Sequence, residues 1–204
     1  MKKFLVGLTI SLGAVAMAHA AGDPNAGQAK AQVCAACHGG NGVGIAPTFP
    51  NLAGQNASYL AKQIREIRDG VRSVPQMAGM VDHFSDQDAL DVAAYFSQLP
   101  ANLGQADPAL AEKGRNLYRA GDLAKGIPAC TACHSPTGQG NAPAAYPALS
   151  GQHPAYTVTQ LKNFRSGERS NDPNNMMRII ANKMSDSEME AVADFVSGLH
   201  GKSE

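Results

Sequence analysis

The chain has no tryptophan, and aromatic residues make up only 5% of its 204 positions. It has four cysteines, too few for a scaffold held together by many disulfides. It has no surplus of either charge, with 17 basic residues against 17 acidic ones, so it lacks the basic footprint that nucleic acid demands. Beyond the first twenty residues no stretch is apolar enough to span a bilayer. No alternating strand pattern of any length occurs. These absences leave a helical protein whose core needs something besides large side chains.

The four cysteines occur as Cys34-Ala-Ala-Cys37-His38 and Cys130-Thr-Ala-Cys133-His134. Cys-x-x-Cys-His is the attachment motif of a c-type haem: two thiols add to the two vinyl groups, and the next residue offers an imidazole to the iron. A zinc ribbon places its cysteine pairs about 15–20 residues apart; here Cys34 and Cys130 are 96 apart. A thioredoxin-like dithiol needs a βαβ setting, which is missing. A disulfide inside either motif would close a tiny loop and leave the histidines unexplained. The motifs therefore predict two covalently attached c-type haems, with Cys34, Cys37, Cys130 and Cys133 as thioether positions and His38 and His134 as iron ligands. A macrocycle in each half would also supply the apolar core that the composition withholds.

Residues 1–20 read as a cleavable export signal. Lys2 and Lys3 precede an apolar stretch, and Ala18-His19-Ala20 is a small-residue cleavage site. Removal of 20 of the 204 residues leaves 184, with 15 basic and 17 acidic side chains, a formal −2 before haem propionates. A soluble, exported product is expected, in a bacterial periplasm. The half before residue 104 is the more acidic, with 5 basic against 7 acidic residues; the second half has 10 of each. Such an asymmetry can orient docking to a redox partner.

The chain is a duplication. Cys34 and Pro47 recur at an offset of 96 as Cys130 and Pro143. Leu52-Ala-Gly-Gln55 recurs at 97 as Leu149-Ser-Gly-Gln152, and Tyr59, Gln63, Arg68, Gly70 and Arg72 keep that offset. Ser85-Asp86 recurs at 100 as Ser185-Asp186. A repeat of this length matches a small domain rather than a solenoid unit. The predicted organisation is all-α, with two tandem domains at 21–104 and 105–204, each wrapped around one haem. Ser185-x-x-Glu188 and Ser85-x-x-Asp88 are capping boxes. They open helices with buried stripes at Ala89, Val92, Ala93, Phe96 and at Met189, Val192, Ala193, Val196. Residues 25–37 predict a first helix, and 39–54 and 135–151 predict loops over the haem edge.

The sixth iron ligand separates electron transfer from small-molecule chemistry. Met77 and Met177 each lie eight residues before the capping serine, and they are the one methionine pair preserved by the repeat. Met80 maps to Ile180, Met176 to Gln76 and Met184 to Phe84. Met77 and Met177 are thus the expected distal ligands; Met80 and Met176 are their nearest rivals. His83, His153 and His200 are unmatched and read as surface or loop residues. Each proximal imidazole needs an acceptor for its outer N–H, and the carbonyls of Pro47 and Pro143 are the expected acceptors. Tyr59, Tyr156, Arg72 and Arg169 fit either haem propionates or a repeated role in the fold.

Together, the two Cys-x-x-Cys-His motifs, the Pro-x-x-x-Leu-x-Gly-Gln variants at 47–55 and 143–152, Met77-Ala-Gly-Met80 and Met176-Met177-Arg178 resemble the dihaem class I cytochromes c of the cytochrome c4 family. The resemblance spans the mature chain. It implies two cytochrome c folds with haem edges near the domain interface and Met77 and Met177 as axial ligands. It also implies electron shuttling in the periplasm, peripherally at the membrane, from a quinol-oxidising complex toward a terminal oxidase. No enzymatic activity, small-molecule substrate or nucleic-acid partner is expected. The alternatives are an electron-transfer subunit of a larger dehydrogenase and a dihaem enzyme such as a peroxidase.

Overall fold

The computed structural model describes residues 22–200, and the export signal read at 1–20 lies outside them. The first half begins with α1 (Pro24–Lys30), where Pro24 sits at the first helical position and the Asp23 carboxylate accepts the Asn25 N–H at 2.8 Å. The helix tightens into a 3-10 turn at Ala31–Cys34 and ends in α2 (Ala35–His38). The predicted first helix is therefore one helical run ending on the histidine. Two longer helices follow, α3 (Ala57–Arg68) and α4 (Asp86–Gln98). The second half repeats the plan with α5 (Pro108–Ala120), α6 (Thr131–His134), α7 (Pro154–Ser166), α8 (Met176–Ala181) and α9 (Asp186–Ser197). The described residues form no sheet, only two isolated bridges, at Asp122–Ile127 and Asn141–Tyr146.

Each half packs its first helix on its last, α1 on α4 and α5 on α9, and a third helix leans on the last from another side. Close approach is set by glycine. A Cβ on Gly27 would stand 2.0 Å from the Asp91 carbonyl oxygen, and one on Gly114 would stand 2.1 Å from that of Ala191. Both capping boxes form: Ser85 N–H donates to Asp88 and Ser185 N–H to Glu188, each at 2.8 Å. Behind them the two predicted stripes are buried throughout, from Ala89 to Phe96 and from Met189 to Val196.

The interior divides into two separate clusters. One gathers Ala31, Leu60, Ala61, Val81, Phe84, Val92, Ala93 and Phe96. The other gathers Leu117, Tyr118, Ile127, Leu161, Phe164, Met184, Met189 and Val196, among others. Phe84 and Met184, paired by the repeat, occupy matching core positions. One difference escaped the sequence comparison. Gly27 and Gly114 are structural equivalents at an offset of 87, while the cysteines are offset by 96. The nine extra residues of the second half form the turn after α5, closed by reciprocal Asp122–Ile127 backbone bonds of 2.8 Å, with Ile127 buried beneath it.

Candidate functional site

In the first half the Cys-x-x-Cys-His motif ends the first helical run, and in the second it ends in α6, set off from α5 by the extra turn. The cysteines are half-buried and one turn apart, and the histidine after them is buried, His38 at 7% exposure and His134 at 8%. The chain then turns sharply out of the helix. Gly39 does so at φ 71°, with the Val43 carbonyl 2.2 Å from where a Cβ would stand. Ser135 makes the same turn at φ 65°, its carbonyl accepting the Tyr118 hydroxyl at 2.6 Å.

His38 Nδ1 bonds the Pro50 carbonyl at 2.9 Å, and His134 Nδ1 bonds that of Pro147 at 3.0 Å. This corrects the expectation that Pro47 and Pro143 accept. Pro50 and Pro147 stand at offset 97, in register with the Leu-x-Gly-Gln segments directly after them, whereas Pro47 and Pro143 keep the offset of the cysteines. That register change was the available signal. Leu52 and Leu149 N–H groups donate to the Gly42 and Gly138 carbonyls at 2.8 and 2.7 Å, pinning each prolyl segment under its histidine.

With Nδ1 engaged by a carbonyl, Nε2 of each ring is the lone-pair nitrogen, the form in which imidazole binds a metal. Burial lowers the basicity of both rings, against the smaller opposite effect of the prolyl carbonyls, and so favours the neutral ligand form. Burial likewise pushes the Cys34 and Cys130 thiols up to about 11. A catalytic dithiol requires a depressed thiol, so the redox-dithiol alternative loses its support. Among the described residues no three His, Cys, Asp or Glu side chains converge into a metal cluster. The donor set fits two covalently held haems.

Met77 closes a 3-10 turn (Pro75–Met77) and Met177 is the second residue of α8. Both are half-buried against their cluster. Met80 packs against the same cluster as Met77, so packing alone does not separate them; the repeat does, because Ile180 stands in the place of Met80. Met176 lies outside the core and accepts the Tyr146 hydroxyl on its sulfur at 3.8 Å. His83 and His200 are exposed. His153 Nε2 pairs with the Gly44 carbonyl of the other half at 3.3 Å.

The repeated polar residues meet between the halves. Arg72 donates to Gln63 at 2.8 Å, to Tyr156 at 3.1 Å and to Gln160 at 3.0 Å. Arg169 donates to Gln160 at 2.8 Å, to Tyr59 at 3.0 Å and to Gln63 at 3.2 Å. Every bond in one list has its repeat-related partner in the other. Nearer the prolyl segments the exchange continues. Gln55 brackets Ala148, accepting its N–H at 2.7 Å and donating to its carbonyl at 2.9 Å. Gln152 does the same to Asn51, at 2.9 and 3.0 Å. Burial alone pushes the Tyr59 phenol up, but the Arg169 and Arg72 guanidiniums beside it turn the shift downward. Of the two roles open to these residues, the geometry gives them one in the fold, clasping the halves together.

A family model described as Cytochrome c matches residues 25–100 and again 111–200. Cytochrome c4 of Azotobacter vinelandii is 53% identical, with 98% of this chain and 100% of that relative covered. The reduced cytochrome c4 structure from Pseudomonas stutzeri superposes with a TM-score of 0.86 at 49% identity, covering 88% of this chain and 100% of that one. A thiosulfate dehydrogenase electron acceptor of Stutzerimonas stutzeri is 40% identical over 84% of this chain and 81% of its own.

Proposed function

This chain belongs to the cytochrome c family, in its cytochrome c4 group, and on that premise we propose how its residues hold two haems and which partners it serves. Membership makes it a dihaem electron carrier with covalent haem c in each half. In the proposed reading the domains are 21–104 and 105–204. Cys34 and Cys37 anchor the first haem, and Cys130 and Cys133 the second. His38 and Met77 ligate one iron, His134 and Met177 the other. The observation that carries this is the pair of prolyl bonds at 2.9 and 3.0 Å, which leave the same imidazole nitrogen free in both halves.

The bound haem supplies one-electron exchange between ferric and ferrous iron. Everything else falls to the chain. Pro50 and Pro147 hold each ring in one tautomer and one orientation, and their acceptance of the N–H raises the ring's strength as a ligand. The thioethers of Met77 and Met177 are soft donors that favour the ferrous state, so His/Met ligation raises the potential relative to two histidines. With one histidine and one methionine held on each iron, no position would be left for a substrate. The clasp of Arg72 and Arg169 keeps the halves at a fixed separation, which suits relay from one site to the other.

The export signal at 1–20 supports a periplasmic location, with the mature chain starting at Ala21. No helix among the described residues is long and apolar enough to cross a membrane, and the proposed attachment is peripheral. The proposed donor is a quinol-oxidising complex or a dehydrogenase, and the proposed acceptor a terminal oxidase. The relative named as a thiosulfate dehydrogenase electron acceptor favours a second reading, in which the donor is a sulfur-compound dehydrogenase. Stable co-purification with such an enzyme supports a fixed subunit, and its absence supports a free carrier.

The deciding measurement titrates the dithionite-reduced holoprotein with carbon monoxide and follows the Soret band. An unchanged spectrum at saturating gas is expected, because both irons hold two protein ligands. A shift in about half of the absorbance overturns one methionine assignment and favours an enzyme.

A further inference from the structure

The two halves correspond closely around the prolyl segments, and the ring before each proline is one of the positions where they differ. Phe49 and Tyr146 each directly precede the proline that holds the histidine. Phe49 stands edge-on to His38 with ring centres 6.4 Å apart, and Tyr146 lies tilted beside His134, also at 6.4 Å. Tyr146 alone carries a hydroxyl, and it donates to Met176 Sδ. In the first half Phe49 has nothing to donate, and Gln76, exposed, stands where Met176 does.

We propose that Tyr146 is a positioning residue for the second iron, tying the segment that supports His134 to the segment that presents Met177. The proposal rests on the reading of Met177 as the distal ligand. Tyr146 is itself firmly placed. Its backbone exchanges bonds with Asn141 at 3.1 and 2.9 Å, and its carbonyl accepts from Asn56 of the first domain at 2.8 Å. Its neighbour Pro147 accepts from His134. The segment it reaches is braced within itself, Arg178 donating to the Asn175 side chain and to the Ser170 carbonyl at 3.1 Å. Asn174 and Asn175 enter α8 at φ 53° and 60°, left-handed geometry that costs a residue with a side chain. After Met177, Arg178 is clamped by Asp172, N–H at 3.0 Å and Nε at 2.7 Å. The bond from Tyr146 ties this segment to the one that supports His134. Swinging Met177 away from iron then requires Met176 to leave the Tyr146 hydroxyl, a step with no counterpart at Met77.

The test uses the ferric dihaem holoprotein in excess imidazole, with displacement of each methionine followed through its own paramagnetically shifted methyl resonance. A thioether is a weak acceptor, so Tyr146→Phe is expected to speed loss of the Met177 signal about two- to fivefold and to leave Met77 unchanged. Met176→Leu, which keeps the tyrosine and removes the sulfur, should reproduce that change, and the double variant should add nothing further. Displacement unchanged in Tyr146→Phe, or quickened equally at both irons, overturns the role of Tyr146. So does an effect of Tyr146→Phe that Met176→Leu does not share. If the unmodified protein shows no methyl signal assignable to Met177, the ligand reading itself falls, and this proposal with it.

Discussion

Arg72 and Tyr156 belong to different domains, yet the guanidinium donates to the phenol at 3.1 Å, and Arg169 returns the contact to Tyr59 at 3.0 Å. Both arginines are buried, at 8% exposure each. Replacing Arg72 with alanine removes the donor to Tyr156 and one of the donors to each of Gln63 and Gln160, which keep Arg169. The expected loss of stability is about 2–4 kcal/mol, read by urea denaturation of the holoprotein. A double-mutant cycle with Tyr156→Phe should give a coupling of about 1 kcal/mol or more. A coupling of zero would show that the two domains are held by other contacts.

The crossings at Gly27 and Gly114 admit no side chain. Gly114→Ala places a methyl against the Ala191 carbonyl and within 2.6 Å of Phe195 Cβ, so α5 must move off α9. Destabilisation of about 1–3 kcal/mol is expected, visible as a lower thermal midpoint. Gly70→Ala is the control, because no atom stands within 4 Å of its Cβ position and only its φ of 73° opposes the change.

Acid should find the Glu188 anchor. The hydrogen bond from Lys125 draws its carboxyl from an ordinary 4.5 down to about 2, against burial and with help from Ser185. A carboxyl depressed in the folded state contributes stability that is complete above its unfolded value and is lost as pH falls through the folded one. Glu188→Gln is therefore expected to cost about 1 kcal/mol at neutral pH, after allowance for solvent screening. The gap from the unmodified protein should close between pH 4.5 and pH 2. A gap constant across that window would assign the cost to lost packing.

The distal ligands can be tested one at a time. Met77→Ala and Met177→Ala should each let carbon monoxide bind about half of the haem, and the opened site should fall in potential. Met80→Leu and Met176→Leu should leave both irons closed to the gas. Binding in Met80→Leu would move the first ligand three residues along the chain.

Much of this was readable before any coordinates. Ser85-x-x-Asp88 and Ser185-x-x-Glu188 announce helix starts through bonds that span three residues, and the stripes behind them follow from helical periodicity. The prolyl acceptors are not legible in the sequence because Pro47 and Pro50 lie in one irregular loop, where no periodicity tells which carbonyl turns inward. The extra turn at 121–129 precedes the second motif, so every repeat offset from the cysteines onward already contains it.

The sequence by itself determined the chemistry. Two thiols and an imidazole within five residues, twice, are local facts that survive any packing. Only the tertiary structure decided what the repeated polar residues do. Tyr59 and Arg169 are 110 positions apart, Gln55 and Ala148 are 93, and neither pair meets until one repeat docks on the other. A duplication predicts that equivalent residues share a role, but whether each serves its own domain or its neighbour depends on the docking geometry, which no local pattern encodes. The hydroxyl of Tyr146 is the sharpest case: one oxygen added to a repeated ring has meaning only because folding brings the Met176 sulfur to it.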